Sequence, residues 1–205
     1  MKLIVATPKS GSTYFTRWHW YQDTSLNYLA EHFQPEHFPQ GVNTDSIDVE
    51  IDRRLAQDHT SSVIKIHTGK ETPQRVWDWV GNHPVHLVKR KDTWAQTLGL
   101  GLSYLSNNWT LYPNEHTTYH NGFFLQSWFD DLVWRLDDLE QRQHSLNVAS
   151  TVYYEDIYKY TIDDKTARMP VKQHAKSIEQ LEKHFYNIKE VKEWHNDWIQ
   201  RRTIS

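Results

Sequence analysis

The chain has 205 residues and a formal net charge of -3, a length that supports one domain around a hydrophobic core and a charge that argues against general nucleic-acid binding while leaving room for a local basic pocket. Charged residues make up 24% with no long like-charge block, which speaks against bulk disorder. Cysteine is absent, so disulfides, thiolate metal ligands and a cysteine nucleophile are all excluded.

The apolar run Leu3-Ile4-Val5-Ala6 is too short for a signal-peptide core, and no apolar stretch reaches membrane-spanning length. The expectation is a soluble, cytoplasmic protein without a membrane span. Asn108-Trp109-Thr110 matches a glycosylation acceptor by pattern, and without a secretory signal it reads as chance. Ten tryptophans, eleven tyrosines and thirteen histidines are unusually many for this length; most of the aromatics are expected to serve the core, and the remainder could floor a pocket for a sugar, a ring or an apolar acceptor.

In chain order, Leu3 to Thr7 reads as a strand and Ser12 to Leu29 as a helix carrying Tyr14, Trp18, Tyr21 and Leu29 at helical spacing. His32 to Asp48, with Pro35, Pro39 and Gly41, has no regular pattern. Ser62 to His67 is a second strand; Pro73 to Val80 is a short helix with proline near its start. The strand Val85 to Lys89 leads into a helix, Asp92 to Leu105, whose aspartate can cap it. Ser106 to Gly122, with Pro113, is again irregular. Loops this long are often binding loops or lids. Phe123 to Gln143 reads as the longest helix, with Leu125, Trp128, Leu132, Leu136 and Leu139 as its apolar stripe. Asn147 to Tyr153 is a fourth strand, and Ser177 to Arg201 one or two amphipathic helices led by Ile178, Leu181 and Phe185. Strands alternating with helices predict a single α/β domain over residues 1-205, a mostly parallel sheet flanked by helices.

Chemistry concentrates after the first strand, in Thr7-Pro8-Lys9-Ser10-Gly11-Ser12-Thr13-Tyr14. A strand, a tight glycine turn and a helix start gather backbone N–H groups around one point, which suits phosphate or sulfate. Lys9 adds charge, and Ser10, Ser12 and Thr13 add hydroxyls. The order is not that of a Walker A loop, because the lysine precedes the glycine.

Pro8 to Tyr14 resembles the 5′-phosphosulfate loop of the sulfotransferase family, whose donor is 3′-phosphoadenosine 5′-phosphosulfate (PAPS) and whose nucleotide product is the bisphosphate PAP. Every position of that loop is matched. Lys65-Ile66-His67 is similar to the family's Lys-x-His strand end, which implies that His67 is the general base and Lys65 supports the transferring group; some relatives use a glutamate as base. Arg90-Lys91-Asp92 with Gln96 looks like the 3′-phosphate segment. The family's serine there is Gly99, so Thr97 or Ser103 would have to stand in. Tyr153-Tyr154-Glu155-Asp156-Ile157 resembles a late segment whose tyrosine, Tyr154 here, lies near adenine, with Tyr14 stacking opposite. The C-terminal Arg-Lys-Gly segment of cytosolic members has no match, although Arg201 and Arg202 lie toward that end.

The resemblance therefore implies a P-loop-like sulfotransferase architecture and transfer of a sulfuryl group to a hydroxyl or amine of a small-molecule, glycan or lipid acceptor. Lys9 would stabilise the leaving oxygen. No metal is implied, and no His-x-x-x-His helix spacing with a glutamate between suggests zinc. The rival bases are the loop histidines His32, His37, His116 and His120. Two other functions remain open at this point: a small P-loop nucleotide kinase, and a non-catalytic nucleotide-binding module on the same fold.

Overall fold

The computed structural model describes residues 1-35, 38, 46-110, 118-162, 169-170 and 177-204. Five strands form one all-parallel sheet: β1 (Lys2–Ala6), β2 (Asn27–Ala30), β3 (Ser62–His67), β4 (Val85–Lys89) and β5 (Val148–Tyr153), in the order β2-β3-β1-β4-β5. Helices connect them: α1 (Ser12–Gln22), α2 (Ile47–Leu55), α3 (Gln74–Gly81), α4 (Thr93–Ser106), α5 (Gln126–Arg142), α6 (Ile178–Glu182) and α7 (Ile188–Ile204), with a 3-10 helix (Tyr154–Lys159) after β5. Among the described residues no helix is long and apolar enough to cross a membrane.

Strands buried on both faces explain the continuous apolar runs that mark β1, β3 and β4 in the sequence. Side chains alternate across the sheet. Leu3, Val5, Ile64, Ile66, Val85 and Leu87 pack with Ile51, Val76, Trp77 and Leu139 on one face. Ile4, Ala6, Val63, Val88 and Val152 pack with Phe15 of α1 and Ile157 on the other. A separate helical core joins Leu98 and Leu102 of α4 to Phe129, Leu181, Phe185 and Trp198.

The predicted α/β layout holds, with three corrections. The helix expected over Ser12 to Leu29 ends at Gln22. Asp23 Oδ1 accepts from the amide and hydroxyl of Ser25, a local turn that competes with helix continuation, and the chain then enters β2 beside β3. Second, α2 occupies residues the sequence pattern left unassigned, pinned by Arg53 and Arg54 on Glu50. Leu125, expected in the stripe of the long helix, instead precedes α5 and is 49% exposed. Of the two irregular stretches, Pro39, Gly41, Pro113, His37 and His116 lie outside the described residues.

The register places functional ends level with one another. Ala6 sits opposite His67 of β3 and Val88 of β4, so the loop after β1, the end of β3 and Arg90 emerge at the same sheet edge. That carboxyl edge, where connections leave a central strand toward opposite sides, is where ligands bind in open α/β sheets.

Candidate functional site

The turn Thr7 to Gly11 is strained in a way that opens its backbone. Lys9 has φ 58 and Gly11 φ 81, both in the region that favours glycine. Gly11 is also needed for space: a Cβ there would come 2.7 Å from Tyr154 Cδ2. Ser10, fully buried, donates its hydroxyl 2.8 Å to the Thr7 carbonyl and braces the turn from inside. Gln96 braces it from α4, donating 2.9 Å to Thr7 Oγ1 and 2.5 Å to the Pro8 carbonyl.

The turn delivers the chain into α1 with Gly11 as N-cap, and among the described residues no side chain caps that end. The first N–H groups of a helix have no intrahelical partner, and its dipole favours an anion. By contrast α4 is capped twice. Asp92 accepts from Ala95 N at 2.8 Å, and Glu155 accepts from the amides of Lys91 and Asp92 at 3.1 and 3.2 Å. The α4 start is therefore already filled by a carboxylate, whereas the α1 start has no side-chain cap among the described residues.

Period-two alternation in β3 puts Lys65 and His67 on the α1 side of the sheet. Lys65 Nζ donates 3.1 Å to Thr13 Oγ1, and His67 Nε2 lies 3.1 Å from Ser12 Oγ. Glu31, just past β2, completes the group: its carboxylate is 2.5 Å from Lys65 Nζ and 3.8 Å from His67 Nδ1. The carboxylate favours the ring proton on Nδ1, leaving Nε2 to accept the Ser12 hydrogen. A serine, a histidine and a glutamate in that order invite comparison with a nucleophile triad. Ser12 is only 4% exposed and Glu31 is closest to Lys65, so the arrangement can orient the imidazole but does not present Ser12 as a nucleophile.

Arg90 closes the opposite side. Its guanidinium donates 3.3 Å to the Lys9 carbonyl and lies 4.2 Å from the Tyr154 ring. Burial, then Arg90, then Lys65 push the Lys9 ammonium down to about 7. Three cationic side chains thus face one turn with Glu31 as the carboxylate among them. An anion at the α1 start would relieve that repulsion.

The sequence-predicted residues divide. Pro8, Lys9, Ser10, Gly11, Ser12, Thr13, Lys65, His67, Arg90 and Tyr154 come together around the turn. Tyr14 points to the far end of the 3-10 helix, its hydroxyl on the Tyr160 carbonyl at 3.0 Å. Lys91 is turned toward Asp156 at 3.8 Å and the Tyr153 ring at 4.6 Å. Thr97 is 1% exposed and donates to Thr93 of its own helix; Ser103, equally buried, donates to Gly99. Arg202 pairs with Asp137 and Glu140 of α5. Of the rival bases, His32 is pushed down to about 4, by burial first, and packs at Arg54 and His59; His120 is exposed on the loop before α5.

Sequence reasoning missed Glu31 and Trp109. Glu31 carried no signal while Ser12 to Leu29 read as one helix; recognising Asn27-Tyr28-Leu29-Ala30 as a strand would have put it at the ligand edge. Trp109 receives the Lys9 ammonium on its carbonyl at 2.6 Å across a hundred residues of chain, a pairing without local pattern. Comparison with family models, with characterised proteins and with solved structures gives no match.

Proposed function

We propose that the chain is a sulfotransferase that takes a sulfuryl group from PAPS, releases PAP, and follows the P-loop-like sulfotransferase layout. The observation that carries this reading is the convergence of Lys9, Lys65 and Arg90 on an uncapped helix start, with His67 Nε2 aimed at the same point. Such a cradle suits the anionic phosphosulfate end of a nucleotide.

When bound, PAPS supplies the activated sulfuryl group. Pro8 to Thr13 would hold its 5′ end against the α1 amides, and Arg90, over Tyr154, would take the 3′-phosphate. Lys9 is the group nearest the turn that can meet charge developing on the leaving oxygen. His67 Nε2 takes the acceptor proton, while Glu31 stabilises the resulting imidazolium from the Nδ1 side. Lys65, held between Thr13 and Glu31, supplies fixed positive charge beside the transfer point. Among the described residues no group of three acidic or histidine ligands could hold a metal, and the reading requires none.

The decisive experiment is calorimetry with PAP, ADP and AMP, beside turnover of radiolabelled PAPS with a hydroxyl acceptor. PAP should bind tightest. Equal affinity for PAP and AMP would remove the 3′-phosphate site, and PAP binding without turnover on any acceptor would leave a binding module.

A further inference from the structure

The Lys9 ammonium is held from outside by an aromatic step. Asn107, at φ 52, ends α4 in the left-handed conformation, and the chain doubles back to lay Trp109 against Lys9, whose Nζ is 5.3 Å from the ring centroid. Trp109 meets Tyr104 edge-on at 4.9 Å, and Tyr104 stacks on Trp128 of α5 at 4.6 Å and 16°. Trp128 continues inward to the buried Phe124. The inner rings anchor the step. The outer two remain open, Tyr104 at 39% and Trp109 at 46% exposure.

Carboxylates border this step. Arg135 pairs with Asp131 at 2.7 Å and Glu71 at 3.1 Å, and donates to the carbonyl of Thr68, the residue after His67. Glu71 and Asp131 are 30% and 34% exposed, so neither side chain is sealed off from solvent. Asp131 lies one turn beyond Trp128 on α5, beside the Tyr104 ring that stacks on Trp128, and burial first, then Asp131, push the Tyr104 hydroxyl up. The step thus runs from the cradle lysine at Trp109 to the loop that follows the base.

We propose that the acceptor is a neutral carbohydrate, one sugar ring packed against the open part of Tyr104 with Trp109, perpendicular to it, as a side wall and its hydroxyls on Asp131 and Glu71, so that a neighbouring hydroxyl reaches His67. The inference rests on the sulfotransferase reading for its chemistry. The acceptor oxygen forms a bond to sulfur as the bond from sulfur to the 5′-phosphate oxygen breaks. The hydroxyl proton goes to His67 Nε2, and PAP leaves.

Ring identity and charge select this class. The C–H face of a sugar packs on an open aromatic ring, and its hydroxyls donate to carboxylates. A flat phenol or sterol would desolvate Asp131 and Glu71 without replacing their hydrogen bonds. Uronate or already sulfated sugars meet the two carboxylates Asp131 and Glu71.

The test offers the full chain cellotetraose, chitotetraose and maltotetraose, with 4-nitrophenol and dodecylamine as counter-probes. Binding is read by tryptophan fluorescence with and without PAP, and transfer by label from radioactive PAPS. At least one tetrasaccharide should bind and become labelled. Tyr104→Ala should raise its KM about tenfold, the scale of one lost stacking contact, while PAP affinity stays unchanged; Tyr104→Phe, which keeps the ring, should stay within about threefold. Label on 4-nitrophenol or dodecylamine alone, or tetrasaccharide KM indifferent to Tyr104→Ala, would overturn the acceptor class. Tetrasaccharide binding that depends on Tyr104 in a chain that fails to bind PAP would keep the platform and remove the donor reading. PAP binding with no saccharide binding would do the reverse.

Discussion

Gly11 and Tyr154 occupy adjoining space so closely that a methyl group on Gly11 would sit 2.7 Å from the tyrosine ring. The backbone φ of 81 at Gly11 adds a second objection to any side chain. Gly11→Ala should therefore cost about 1–3 kcal/mol of stability, the scale of one residue forced into the left-handed region. It should also weaken PAP binding, because the turn and the Arg90-bearing Tyr154 ring shift together. Adding Tyr154→Ala makes room for the methyl but leaves φ strained, so it should restore only part of the stability. Full recovery in a urea melt of the double variant would show that the clash, and not the backbone, sets the cost.

Lys9 links binding to pH. In the free protein its ammonium is pushed down to about 7 by burial, Arg90 and Lys65. A bound anion favours the charged form, so PAP binding above pH 7 takes up a proton, and affinity falls as pH rises from there. Calorimetry at pH 8 in two buffers of different ionisation enthalpy should give different heats; identical heats would put the Lys9 charge outside the site. In the unliganded chain the folded pKa lies below the unfolded one. The unfolded state then binds more protons between about 7 and 10.5, and this lysine makes stability rise with pH across that window. Lys9→Ala should lower kcat by roughly 10²–10³-fold with a smaller effect on PAP affinity.

The Glu31–Lys65 pair joins a residue the sequence pointed to with one it missed. Lys65 is 2% exposed inside β3 and meets Glu31 at 2.5 Å. Glu31→Ala strips a buried ammonium of its carboxylate and should destabilise by about 3 kcal/mol. Lys65→Met, which removes the charge and keeps the stem, should cost less. A Glu31→Ala chain as stable as wild type would mean that water serves Lys65 equally well.

The sheet was legible because its strands are short apolar runs bounded by polar turns, and residues such as Ile64 and Leu87 are buried for the reason the pattern suggests. The turn after β1 was legible because Gly11 must be glycine and Lys9 and Ser12 flank it locally. β2 was not, since Tyr28 and Leu29 continue the spacing of α1, and only pairing with β3 makes Asn27 to Ala30 a strand. Arg90 and Lys91 looked equivalent in sequence. Alternation at the end of β4 separates them, sending one guanidinium to the Lys9 carbonyl and the other side chain to Asp156.

Acid should destabilise the fold through histidines held neutral. His19 packs edge-on against Phe15, and burial first, then His86 and Lys2, push it down to about 4. His32 is pushed down to about 4 by burial, with Arg54 and His59 adding to the effect. Both folded values lie below the ordinary 6.5, so the unfolded chain binds more protons between 6.5 and 4 and stability falls as pH drops through that window. The urea midpoint should decrease from pH 7 to pH 5, and His19→Gln should flatten the slope. A midpoint independent of pH over that range would show that other groups compensate.

His67 is the sharpest test of the mechanism. It ends β3 level with Ala6, holds Nε2 3.1 Å from Ser12 Oγ, and has Glu31 3.8 Å from Nδ1. As the general base it should lose about 10²–10⁴-fold in kcat on His67→Ala, with PAP affinity nearly intact, because Lys9, Arg90 and the α1 amides remain. His67→Gln keeps a hydrogen-bonding partner for Ser12 but offers no base, so it should be as slow as His67→Ala. Ser12→Ala removes the hydrogen bond and leaves the imidazole, and should cost far less. The order of the three variants carries the argument. If His67→Gln recovered activity and Ser12→Ala did not, the pair would be holding the turn in shape, and the proton would be leaving by another route.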